Sequence, residues 1–379
     1  MKFPTWTRRL PWSIVVAALL LNGLGLAAIA RVEELTDGSG RFLHQQAAYS
    51  LLALVVMLLM TIPNYQTIGR YGYAIFATSL LLLAAVYLHP PINEARRWIR
   101  LGPLGIQPSE FAKVAYVLAL ARYLMHRDNY RRLRGLLGPL ALTLLPVLLV
   151  LREPDLGSSS VFFPVFFVML FAAGAKRRDL ACVVAAGVLV LPLLWTQMNL
   201  DQKSRVVSLF DQPPPGQMPS REAYQLYQAK QLRAMGGVWG SLLAGQPTDD
   251  PVTYRLPEAQ SDFIFTVVGE RFGLPGTALV LLLFAWIVGR AVAIAQETRE
   301  PFGRLLAVGV ATLFAVETLI HAGVTVGLLP ITGISLPLVS HGGSGLLAHA
   351  LALGLLLNVG LRPGYEMANE PFRYVVNPD

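Results

Sequence analysis
The residues best placed to do chemistry lie in Leu256–Gly276, LPEAQSDFIFTVVGERFGLPG. Glu258 and Asp262 stand four apart, so on a helix they share one face. The apolar run Phe263, Ile264, Phe265, Val267 and Val268 follows directly. A carboxylate held at a membrane surface by apolar neighbours is poised to take a proton. The structural alternative for Asp262 is a solvated acid near a helix start. A second pair, Glu110 and Lys113, has i, i+3 spacing at the head of another apolar run, where it either lines a cavity or simply self-neutralises. Arg152-Glu153-Pro154-Asp155-Leu156-Gly157 packs charges into a short turn, as a solvated tip or as part of a shared site. Glu317 and His321 stand four apart inside a third run. His341 and His349 read as packing or hydrogen-bonded histidines, because no metal-type clustering accompanies them.

The elements that must position these groups are membrane helices. Of the 379 residues, 54% are hydrophobic and 14% charged, and mean hydropathy is +0.52. A soluble chain carries about 25% charged residues, so this composition reads as a polytopic all-α membrane protein. Apolar runs at 11–30, 46–62, 71–89, 110–126, 136–151, 158–175, 180–197, 274–295, 304–328 and 343–361 predict about ten spans. The net charge of +8 does not point to nucleic acid, since the arginines fall between apolar runs and no basic stripe carries interleaved aromatics. Single Cys182 excludes an intrachain disulfide.

Arg8, Arg9, Arg70, Arg122, Arg127, Arg131, Arg132, Arg134, Lys176, Arg177, Arg178, Arg299, Arg304 and Arg362 alternate with the spans, which puts both termini in the cytoplasm. Arg96, Arg97 and Arg100 break that pattern outside. They either meet an anionic ligand there or pair with headgroups or Glu94. The whole chain, 1–379, is expected to be one membrane domain, with a large extracellular loop at 198–261 between spans seven and eight and a cytoplasmic tail at 362–379. Within the loop, Pro213-Pro214-Pro215-Gly216 breaks any helix, and Ser220–Leu232 predicts an amphipathic surface helix capped by Ser220. Arg97, Glu110, Lys113, Asp155 and Asp262 all fall on or near the outer level.

Four segments together resemble the shape, elongation, division and sporulation family: ARRWIRLGPLGIQPSEFAK (95–113), EPDLGSS (153–159), LPEAQSDFIFTVVGERFGLPG (256–276) and GLLPITGISLPLVSHGGSGLLA (327–348). The resemblance implies a peptidoglycan glycosyltransferase of the bacterial cytoplasmic membrane that polymerises lipid II on its outer face. It puts the family's catalytic aspartate at Asp262. Its RW arginine falls at Arg97, its QPSE-x-x-K residues at Glu110 and Lys113, and its PDLG aspartate at Asp155. Glu258 joins these as a substrate-binding candidate. Gln260 and Ser261 stand where His and Thr are usual, and His341 where Tyr is usual. PITGISLPL leans toward the elongation branch, with a division or sporulation paralogue as the alternative. The expected partners are lipid II, a class B penicillin-binding transpeptidase and membrane proteins of the elongation complex. A divalent cation, magnesium or manganese, is a candidate cofactor through Asp155. A lipid flippase or transporter is the competing class, and mid-span Glu317 is the feature that favours it.

Overall fold
The computed structural model describes residues 10–36, 38, 40–89, 96–101, 104–126, 133–198, 200–210, 221–245 and 256–362. Long apolar segments become helices because lipid offers the backbone no partner. Among the described residues, eight helices are long and apolar enough to cross a membrane. They include α1 (Trp12–Leu35), α2 (Arg41–Leu59), α6 (Leu137–Arg152), α7 (Leu156–Ala173) and α8 (Arg177–Gln197). The others are α12 (Ile264–Glu297), α13 (Pro301–Thr325) and α14 (Gly343–Leu361). The short α3 (Tyr65–Arg70) leads into α4 (Gly72–Ala85), and α5 (Pro108–His126) follows a hairpin. With α4 and α5 added, each of the ten apolar runs is a helix. The chain is thus a multi-pass, all-helical membrane protein.

The helices fall into an inner and an outer set. The apolar windows of α13 and α14 are 67% and 78% buried, against 17% for α2 and 6% for α8. α5 is buried along almost its whole length and touches α4, α7, α13 and α14. α13 also packs on α7 and α12, and α1 packs on α2 and α12. A helix such as α8, apolar all round and exposed, is dressed for lipid rather than for a core.

Two features go beyond the sequence expectations. The connection at 198–261 is not a plain loop. Its described parts form α9 (Leu200–Phe210), α10 (Arg221–Gly236) and α11 (Ser241–Ala244). α10 covers most of the predicted amphipathic helix, but it packs on α12 and α13 instead of lying free. Ala223, Leu226, Ala229 and Leu232, spaced by three, are its buried face. Pro213–Gly216 and Ser220 lie outside the described residues, as do residues 363–379 of the expected tail. In the second case, Ile99–Leu101 (β1) and Leu104–Ile106 (β2) form an antiparallel hairpin with Ile99 opposite Ile106. Strands this short leave no periodic trace in a sequence.

One helix is broken. At Gly273 in α12 the backbone has φ 65 and ψ −155. The connection 236–240 wedges into the break, and Leu274 N–H donates to Val238 O at 2.9 Å. Backbones meet directly there. A Cβ at Gly236 would lie 2.4 Å from Gly269 O, and one at Gly240 2.4 Å from Arg271 O. A Cβ at Gly273 would lie 2.3 Å from Val238 O. Only glycine permits both this approach and the positive φ.

Candidate active site
Asp262 sits in the turn that feeds α12. Its N–H donates to Glu258 O at 3.0 Å, so the two carboxylates share one turn, as their spacing predicts. Glu258 is exposed and held at φ 54, a left-handed conformation costly for a non-glycine residue. A cavity of about 280 Å³ opens beside them, lined among others by Arg97, Glu110, Glu258, Asp262, His341 and His349. Asp262 is half-buried in its wall. A Cβ on Gly333 would lie 3.6 Å from Asp262 Oδ2, so the 327–339 connection passes close by. Burial, then the negative charge of Glu258, push the Asp262 carboxyl up to about 6. Hydrogen bonding from Ser261 and the positive charge of Arg205 oppose that shift, and Asp155 adds to it.

The wall opposite is a clamped turn ahead of α14. Ser340 Oγ donates to Ser261 O at 2.6 Å, and His341 N–H donates to Gln260 O at 2.8 Å. Gln46 on α2 grips the same turn from the other side, donating to Ser340 O and accepting from Gly342 N–H, each at 3.2 Å. Leu338 is held at φ 64 while its carbonyl accepts from Asn22 of α1. The segment carrying Asp262 is therefore tied to α1, α2 and α14 through one strained turn. His341 meets the edge of Phe42 at 5.2 Å, and burial holds its imidazole below the ordinary value.

Beneath the cavity lies a buried ionic network. Lys113 Nζ donates to Glu110 at 2.9 Å and to Glu317, and His349 Nε2 meets the other Glu317 oxygen at 2.6 Å. All four residues are at most 6% exposed. Burying these charges is tolerable because each is paired and hydrogen-bonded. Spacing alone revealed Glu110 with Lys113. It missed Glu317 and His349, which arrive from α13 and α14. His349 is a hydrogen-bonded histidine, as its sequence reading has it, with Glu317 as the partner that spacing did not reveal, while His321 turns away from Glu317 to Ile334 O at 2.8 Å. Glu317 is held in place by Lys113 on one oxygen and His349 on the other.

The remaining candidates divide. Arg97 lines the cavity and donates to the carbonyls of Glu153 and Pro154, at 3.2 and 2.5 Å. Asp155 is buried and accepts from Ser158 N–H at 3.0 Å and Ser158 Oγ at 2.9 Å, capping α7. Neither Asp155 nor Lys113 is among the residues lining the cavity. Glu153, which was passed over as part of a turn, is fully buried, and neither of its carboxylate oxygens has a partner among the described residues. Burial, then Asp155, push it up to about 8, against the pull of Arg97.

The fit to a divalent cation is poor. Both Asp155 oxygens already serve the cap of α7. Glu110, Glu317 and His349 bring ligand atoms within 4.8 Å of one another, but the Lys113 ammonium already bonds both carboxylates there. What the cavity presents is a basic carboxylate at its rim, an arginine and a histidine on its walls, and a hydrogen-bonded ionic floor. That arrangement suits proton abstraction from a hydroxyl beside an anionic group.

The family model of the cell cycle proteins FtsW, RodA and SpoVE matches residues 11–362. A protein of Geobacter sulfurreducens named "Probable peptidoglycan glycosyltransferase FtsW" is 35% identical over 328 residues, 85% of this chain and 86% of that one. Among solved structures, a chain from a work on "Structural coordination of polymerization and crosslinking by a peptidoglycan synthase complex" gives a TM-score of 0.77 at 29% identity. It covers 93% of this chain and 97% of that chain. The rod shape determining protein RodA of Thermus thermophilus gives 0.70 at 28% identity, covering 94% and 98%. With a family model spanning nearly all of its length and a relative above 30% identity, this chain belongs to the FtsW, RodA and SpoVE family of cell cycle proteins.

Proposed function
We propose that the protein is a peptidoglycan glycosyltransferase that polymerises lipid II at the outer face of the bacterial cytoplasmic membrane, with Asp262 as general base. The observation that carries this reading is the raised, half-buried carboxyl of Asp262 at a polar cavity in the membrane bundle. The relatives' printed names support the activity. The acceptor's 4-hydroxyl attacks the donor's anomeric carbon, its proton passes to Asp262, and the bond from that carbon to the diphosphate oxygen breaks. An α-linked donor becomes a β-linked polymer by inversion. The diphosphate leaves readily, so no strong second acid is needed.

Arg97 is the described cation best placed on the cavity wall for the diphosphate charge, with the positive field of Arg205 nearby. Lys113 and Glu110 act together with Glu317 and His349 as a rigid floor. Asp155 acts by capping α7 and holding the turn that Arg97 grips. Glu258 faces the same cavity as Asp262 and holds its carboxyl basic.

The site faces outward by the charge pattern of the loops. A class B penicillin-binding transpeptidase is the partner, in line with the polymerisation and crosslinking named for one structural neighbour. PITGISLPL favours an elongation role among membrane proteins of that complex. Depletion giving round cells would support it, whereas filaments would assign the chain to division.

The test is strand synthesis from labelled lipid II by the purified protein, with and without its transpeptidase, beside Asp262→Asn. Polymer from the parent and none from the folded variant supports the assignment. Equal polymer from both removes Asp262 as base. Lipid scrambling in vesicles with no polymer from either would favour the flippase.

A further inference from the structure
The break at Gly273 separates the part of α12 that follows Asp262, residues 264–272, from the membrane-spanning remainder. That short piece needs its own fixings, because a helix broken at its hydrogen-bond ladder no longer transmits the orientation of the span. One fixing is the stack of Arg233 over the Phe265 ring at 5.8 Å. The stronger one is ionic. Arg31 near the end of α1 meets Glu270 twice, Nη2 to Oε1 at 3.0 Å and Nε to Oε2 at 3.2 Å. Arg31 is 4% exposed and Glu270 is fully buried. The same guanidinium reaches Glu34 at 3.2 Å and Ser241 Oγ at 3.4 Å, beside the wedge that fills the helix break.

We propose that the Arg31–Glu270 pair is a positioning device that sets where Asp262 stands in the cavity. The inference rests on the reading of Asp262 as general base. A two-point guanidinium–carboxylate contact fixes direction as well as distance, which a point charge does not. It joins α1, which also holds Leu338 O through Asn22, to the half-helix that begins directly after Asp262. The two sides of the cavity are thereby referred to one helix. A buried ion pair adds little stability compared with apolar residues of similar size, so bulk stability alone does not account for it.

The test uses the full chain with its transpeptidase partner and compares the parent, Asp262→Asn, Arg31→Lys and the apolar double variant Arg31→Met/Glu270→Leu. The apolar pair is expected to melt near the parent's temperature and to leave KM within about twofold, while kcat falls by about 10- to 100-fold. The acid limb of its rate profile is expected to move to lower pH, as Asp262 escapes its buried setting. Arg31→Lys is expected to fall between the two, keeping the charge but not the two-point contact. Hydrogen exchange across 256–272 is expected to quicken in both variants. A folded apolar pair with the parent's kcat and acid limb would overturn the proposal. If that pair does not fold, parent-like exchange across 256–272 in Arg31→Lys would overturn it. Should the parent make no polymer, or Asp262→Asn remain active, the base assignment fails instead, and exchange still reports on the tie.

Discussion

Asp262→Asn is predicted to abolish polymerisation and, at neutral pH, to raise the melting temperature. The fold lifts this carboxyl from its ordinary 3.8 to about 6, chiefly by burial and then by Glu258. A fold that raises a carboxyl's pKa holds the proton more tightly than the unfolded chain does. Below 3.8 both states are protonated and the full stability is present. As pH rises toward 6 the unfolded chain ionises first, so stability is lost, and above about 6 the loss is complete. A shift of roughly two units corresponds to at most ~3 kcal/mol at ~1.4 kcal/mol per unit. Because Asp262 is half-buried and not sealed, we expect about 1–2 kcal/mol after allowing for solvent. Asn has nearly the same shape and no charge to desolvate, so it should recover that amount at about pH 7.5 and little of it at about pH 3, below both pKa values. The assay is thermal melting in detergent at a fixed scan rate at both pH values, with kcat of the parent measured alongside. That kcat should fall about tenfold per unit below pH ~6. A variant that melts no higher than the parent at either pH, or gains equally at both, would refute the argument that Asp262 is held at the cost of stability.

Lys113→Met should cost about 3–5 kcal/mol, since it strands Glu110 and Glu317, whereas Lys113→Met/Glu317→Leu should recover only part of it, because Glu110 stays unpaired; melting curves decide. Gly273→Ala should destabilise by more than ~1 kcal/mol, because its Cβ would meet Val238 O at positive φ, and its melting temperature would show this. Asp155→Ala should lose about 1 kcal/mol of helix capping while Asp155→Asn loses much less. Equal loss of polymerisation in both, with no change in melting, would point instead to a direct part in catalysis. Arg97→Lys should raise KM for the lipid-linked substrate by about tenfold, since lysine lacks the planar fork that now meets two carbonyls.

Most of the architecture was legible in the sequence, and the reason is local. Each span declares itself through its own apolar run, because every backbone group in lipid is satisfied within its own helix. Glu110 with Lys113 and Glu258 with Asp262 were legible for the same reason, as i, i+3 and i, i+4 neighbours. What escaped was brought together by tertiary packing. Glu317 reaches Lys113 across 204 positions of chain, and Arg31 reaches Glu270 across 239. No spacing rule connects such pairs. Glu153 shows the same limit. A charged residue in a short turn reads as a solvated tip or as part of a shared site, and the turn alone cannot choose, because the arginine that grips it, Arg97, comes from another part of the chain. The loop helices at 200–236 were read only in part, since α10 shows its buried face once α12 and α13 are there to receive it.

The glycine wedge at 236–240 also constrains biogenesis. The wedge precedes α12 in the chain, yet its contacts are with the backbone of residues 269–274. Backbone packed against backbone at this distance cannot form before both strands of the contact exist. During synthesis the wedge must therefore wait until the following segment has been made and has bent at Gly273. Arg31 on α1 has Glu34 within reach one turn away in its own helix, and it gains its two-point contact with Glu270 only once the start of α12 is present. Completion of the cavity wall around Asp262 is thus deferred until residues 269–274 are present, and a chain truncated before residue 270 would carry most of its apolar runs without that wedge contact.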